Sequence, residues 1–207
     1  MTVLTLINLH IFLIFFTFPV DAKSSISSLD CLIHNREYSY EYLYDENDEL
    51  HEFEKYLKLN IFTTHLSKVR NYEKITWELI PNMKKDAIYL KNKNSNNYLC
   101  ASNLFLSPMK VRRTLYTSKV KQGDNCLWKL NEIMKNTTKT RNEIYDEDDD
   151  DELTAKTYLI WNVKYNQQMY APTFFFKTDK HRRNVYLWND RKNVYKSNKF
   201  KWVLDCM

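Results

Sequence analysis

The chain has 207 residues, 31 Lys and Arg against 26 Asp and Glu for a formal net charge of +5, and 15% aromatic residues. That length suits a single core, which at this size takes on the order of 70% of the unfolded surface out of water. With one glycine and four isolated cysteines, the chain has no material for a Gly-rich phosphate loop, a nucleophile elbow or a zinc site with closely spaced ligand pairs.

The first segment, MTVLTLINLHIFLIFFTFPVDA, is an almost unbroken apolar run that ends in Val20, Asp21 and Ala22. It reads as a signal peptide over residues 1–22, with an uncleaved N-terminal anchor as the alternative. Nothing downstream approaches the roughly 20 apolar residues of a membrane span, so residues 23–207 are expected to form one soluble, secreted domain. In that compartment the even count of cysteines, Cys31, Cys100, Cys126 and Cys206, implies two disulfides, and four cysteines allow three connectivities.

Three stretches then repeat a phrase: CLIHNREYSYEYLY from Cys31, AIYLKNKNSNNYLCAS from Ala87 and TYLIWNVKYNQQMYAP from Thr157. Each has an apolar pair, an asparagine (Asn35, Asn92, Asn162), a polar turn and a second apolar pair (Leu43-Tyr44, Leu99-Cys100, Met169-Tyr170). That pattern predicts two short antiparallel strands, with asparagine tolerating φ > 0 where glycine is usual. A short strand follows in each unit, around Phe62, Leu115 and Val185, and then a closing strand around Trp77, Trp128 or Trp202. In the closing strands Trp and the Leu two residues on (Leu79, Leu130, Leu204) share a face, which must be the core. One short helix is expected within the first unit, near DELHEFEKYLKL (residues 48–59).

Between the second and third units, residues 135–156 form an insertion with a glycosylation sequon at Asn136 and a run of acids from Glu143 to Glu152. Self-repulsion and low apolar content predict a solvated loop, and the tract lacks the Gly-turn spacing of a calcium loop. Positive charge gathers elsewhere. Lys180, Arg182, Arg183, Arg191 and Lys192 lie in the third unit and Arg112 and Arg113 at the matching place in the second. These are the candidate ligand-binding residues, since segregated charge attracts polyanions and arginine offers a fork for sulfate, phosphate or carboxylate; the plainer reading is a solvated face that protects hairpin edges.

Three units that each end in Trp-x-Leu resemble the β-trefoil superfamily over nearly all of Cys31 to Cys206. The resemblance implies twelve short strands in pseudo-three-fold units at about 31–81, 87–133 and 157–206, six forming a barrel and six capping one end. It also implies disulfides Cys31–Cys206, at the barrel seam, and Cys100–Cys126. Two departures stand out: the usual turn glycines are missing, and the position two before each Trp is Ile75, Cys126 or Phe200 instead of the Gln of ricin-type lectins.

No nucleophile–base signature, carboxylate pair or metal motif can be picked out, so catalysis, cofactors and metals are not expected. The expected function is that of a secreted, monomeric binding protein that holds a glycan, a polyanion or an extracellular protein; nucleic acid is not an expected partner. The alternative is a secreted protease inhibitor acting through an exposed loop.

Overall fold

The computed structural model describes residues 28–46, 61–105, 111–121, 123–133, 156–173, 181–189 and 194–207. The segment expected as a signal peptide, the expected helix at 48–59, the acidic insertion and Asn136 lie outside these residues.

Among the described residues the protein is all-β, with four single-turn 3-10 helices. The first unit holds β1 (Leu29–Asn35), β2 (Glu41–Asp45), β3 (Ile61–His65) and β4 (Thr76–Asn82). The second holds β5 (Ala87–Asn92), β6 (Tyr98–Phe105), β7 (Arg112–Ser118) and β8 (Trp128–Glu132). The third holds β9 (Thr157–Asn162), β10 (Gln167–Tyr170), β11 (Arg182–Asn184), β12 (Tyr186–Trp188) and β13 (Lys201–Cys206). Thirteen strands appear where twelve are expected because the strand around Val185 divides. Its first part pairs with β3 and its second with β7 and β10, and Val185 between them donates its N–H to the Ile61 carbonyl.

The first and last strands of the units close a ring. Within units, β1 pairs with β4, β5 with β8 and β9 with β13; between units, β4 pairs with β5, β8 with β9 and β13 with β1. Closure leaves these strands no free edge, which removes the template for pairing with other chains. The remaining strands form three hairpin caps, β2–β3, β6–β7 and β10–β12, stitched by β3–β11 and β7–β12.

Trp77, Trp128 and Trp202 are each 0% exposed and pack with Leu43, Leu99, Met169 and their neighbours in one core. Each indole takes on the order of 200 Å² out of water, about 5 kcal/mol of gross hydrophobic stabilisation. The indole N–H would be costly there if unpaired. Each one donates to a carbonyl in the second strand of its own unit: Trp77 to Leu43 (3.0 Å), Trp128 to Leu99 (2.9 Å) and Trp202 to Met169 (3.2 Å). Leu79 is buried with them, and Leu130 and Leu204 pack against the same core.

Asn35, Asn92 and Asn162 take a different role from the one expected. All three are fully buried and sit in register with Trp202, Trp77 and Trp128 respectively. The Asn92 amide donates to the carbonyls of Lys74 and Thr76, and its oxygen accepts from the N–H groups of Asn94 and Ser95. Asn162 does the same with Asn125, Leu127 and Tyr165, and Asn35 with Lys199, Lys201 and Glu37. Positive φ falls instead on Asn96 and Asn166, four residues further on, where the backbone N–H reaches back to Asn92 and Asn162.

Both disulfides are present, Cys31–Cys206 and Cys100–Cys126. The first joins residues directly opposite each other in the β1–β13 pair.

Candidate functional site

The site is built where the first and third units meet. Strand β11 lies against β3 with Arg182 opposite Thr64 and Arg183 opposite Thr63. Side chains alternate across a strand, so two adjacent arginines must face opposite ways.

Arg183 faces inward and is 6% exposed. Its Nε contacts both carboxylate oxygens of Glu41, at 2.9 and 2.8 Å, and Glu41 also accepts from the Thr63 hydroxyl at 2.7 Å. Its Nη1 donates to the carbonyls of Pro172 and Thr173, and its guanidinium lies 3.8 Å from the centre of the Tyr38 ring. The geometry therefore corrects the expectation that Arg183 is an exposed cation. It pins β11 to the β2–β3 hairpin.

Arg182 faces outward and is ion-paired with Glu46, just beyond β2, which is 1% exposed. Together with His181 it forms one wall of a cleft of about 590 Å³. The other wall is the segment between β3 and β4, which contributes Lys68, Arg70, Asn71 and Lys74; Tyr44 and Thr64 complete the lining. Two short turns shape that segment. His65 caps the Leu66–Lys68 turn by accepting the Ser67 N–H, and Asn71 caps the Tyr72–Lys74 turn by accepting the Glu73 N–H at 2.9 Å. The Asn71 amide also donates to Asn94 at 2.9 Å, which ties this wall to the second unit. Among the described residues no acid lines the cleft, and Lys68 and Arg70 have no acidic partner.

The other candidate residues do not converge here. Arg112 and Arg113 lie on β7, away from the cleft lining: Arg112 stacks 4.2 Å from the Trp188 ring, and Arg113 lies 3.9 Å from both Phe105 and Tyr165. Partial burial pulls the Arg113 pKa down, against the opposing pull of Tyr165; an arginine remains charged regardless. Lys180, Arg191 and Lys192 lie outside the described residues. Sequence reasoning missed Lys68, Arg70, Lys74 and His181. The available signal was the spacing of three cations in HLSKVRNYEK, residues 65–74.

Among the described residues, no group of three His, Cys, Asp or Glu side chains is placed to hold a metal ion, and no helix is long and apolar enough to cross a membrane. Exposed His65 and Ser67 approach to 2.8 Å. The same His65 nitrogen caps the turn, and among the described residues no acid orients the ring.

Comparison with known proteins agrees with the ring-and-hairpin geometry. No family model and no curated protein matches the chain. Solved structures do. A designed three-fold symmetric protein, ThreeFoil, matches at 14% identity over 84% of this chain and 96% of its own, with a TM-score of 0.53. The fold is a β-trefoil. The SDF2-like protein of Arabidopsis thaliana matches at 11% identity over 86% of this chain and 92% of the other, with a TM-score of 0.53. A chain of the Haemophilus ducreyi cytolethal distending toxin matches at 10% identity over 84% and 81%, with a TM-score of 0.55. At these identities the likeness carries the fold alone.

Proposed function

We propose that this trefoil is a secreted, non-catalytic binding module whose cleft between the first and third units holds an anionic glycan. One observation carries the reading: Lys68, Arg70, Lys74 and Arg182 line a single open cleft with His181, and among the described residues no carboxylate lines it. Cations gathered on a concave surface focus the field and raise the local concentration of a polyanion. Guanidinium groups add directional hydrogen bonds to sulfate or carboxylate oxygens. Two disulfides and the apolar leader expected at residues 1–22 support an extracellular setting. The non-catalytic part of the proposal rests on the His65–Ser67 pair, whose geometry serves a turn.

The test is retention of the mature, oxidised protein on a heparin-type matrix under a salt gradient. Wild type should be held at physiological salt, where the Debye length is about 8 Å, and released as salt rises. Lys68→Ala combined with Arg70→Ala should elute at clearly lower salt while shifting stability by no more than about 0.5 kcal/mol, because both side chains are exposed. Flow-through of wild type at physiological salt, or equal retention of the double variant, would sink the reading. Salt-insensitive capture of a protease would move the protease-inhibitor alternative ahead of it.

A further inference from the structure

Behind the cleft lining stands a carboxylate. Glu46 is 1% exposed and ion-paired with Arg182, so the most directional cation of one wall is already matched by a charge of the protein's own. The backbone leading into Glu46 is anchored. It directly follows Asp45, which is buried at the end of β2, in register with Ile61, and accepts hydrogen bonds from Ser95 (2.5 Å) and Thr117 (3.3 Å). A carboxylate fixed beside a buried strand end loses heavily if its cation is taken away, because a desolvated charge is left uncompensated.

We propose that Glu46 acts as an internal competitor for Arg182 and makes the cleft selective for ligands with several closely spaced sulfate or phosphate esters over ligands with isolated carboxylates. The inference rests on the anion-binding reading of the cleft. A lone carboxylate offers Arg182 nothing that Glu46 does not already supply, and it also loses freedom on binding. Two further wall cations, Lys68 and Arg70, are exposed and have no acidic partner among the described residues, and a single ion pair at such a position is too weak to hold a ligand. A ligand that engages both at once adds the weak contacts together. A ligand held there presents its further charges to Arg182 at high effective concentration, and so competes with Glu46 as a lone carboxylate cannot.

The opposite role is also physically definite: Glu46 would instead orient Arg182 toward the ligand, and its neutralisation would weaken binding. Calorimetric titration separates the two. A sulfated heparin-type hexasaccharide and a non-sulfated uronate hexasaccharide are titrated into wild type and into Glu46→Gln at low and physiological salt, with thermal melts to confirm folding. Wild type should bind the sulfated probe at least tenfold more tightly than the uronate probe. Glu46→Gln should bind the sulfated probe several-fold more tightly than wild type does and acquire measurable affinity for the uronate.

Equal or weaker binding by a folded Glu46→Gln overturns the competitor role while leaving the anion cleft standing. If Glu46→Gln does not fold, wild-type selectivity decides alone: comparable affinity for the two probes overturns the inference. Absence of binding to either probe by wild type at low salt removes the cleft reading itself, and this inference with it.

Discussion

Arg183 carries its charge where water hardly reaches, and the surrounding groups account for that placement: two oxygens of Glu41, two backbone carbonyls and the face of Tyr38. Truncating it leaves Glu41 buried without its counter-ion, so Arg183→Ala should cost about 3 to 5 kcal/mol in denaturant unfolding; a cost below about 1 kcal/mol would mean that the pair is solvated. His34 offers a test by pH. Burial lowers its pKa below 6.5 in the fold, opposed by the Asp205 carboxylate 3.4 Å from Nε2. In the unfolded chain the imidazole titrates near its ordinary value of about 6.5, so just below that pH the unfolded state binds more protons. Stability contributed by neutral His34 is therefore fully present above about pH 6.5 and declines as the pH falls toward the folded-state pKa. Melts taken between about pH 7.5 and 5 should show this decline in wild type and a shallower one in His34→Gln. The fates of Arg182 and Arg183 were not legible in sequence. Alternation says only that they part company, and the inward side depends on Glu41, distant in sequence and brought close by β3.

At the scale of elements, the buried asparagines do what a flanking strand cannot. Each ring strand that ends in Asn leads into a turn whose N–H groups lack ladder partners, and the short turn that opens the neighbouring closing strand offers carbonyls beside it. One short amide side chain satisfies both sets. Asn92→Ala should therefore destabilise by about 3 kcal/mol, from at least one buried backbone group left unpaired together with the lost hydrogen bonds. A chemical-denaturation midpoint unchanged from wild type would contradict that account. The repeated Asn-turn-apolar phrase and the Trp-x-Leu strands were legible because periodicity and residue type directly report on burial. The division of β11 from β12 was not, since it depends on which partner strand each half meets. Nor was the job of the asparagines: sequence identifies a residue that tolerates positive φ, but Asn96 and Asn166 adopt it, while their more prominent neighbours are spent on hydrogen bonding.

Taken as a whole, the molecule joins distant parts of its chain. The trefoil plan was legible because it is written three times, and a weak signal repeated in order exceeds what one copy can carry. The cleft was legible only in part, since it is assembled from two units and three of its cations, Lys68, Arg70 and Lys74, lie in a connecting segment without a repeat pattern. Ring closure by β1 and β13 also has a consequence for how the protein is made. A chain emerging from the ribosome can pair β4 with β5 and β8 with β9 in turn, yet β1 has no β13 to meet until the final strand has been synthesised. Cys100 and Cys126, 26 residues apart, can oxidise during translation, whereas Cys31 must wait across a separation of 175 residues for Cys206. On the proposed secretory route Cys31 stays an open thiol throughout that interval and can exchange with Cys100 or Cys126, so the order in which the two bridges close follows from where their partners lie along the chain.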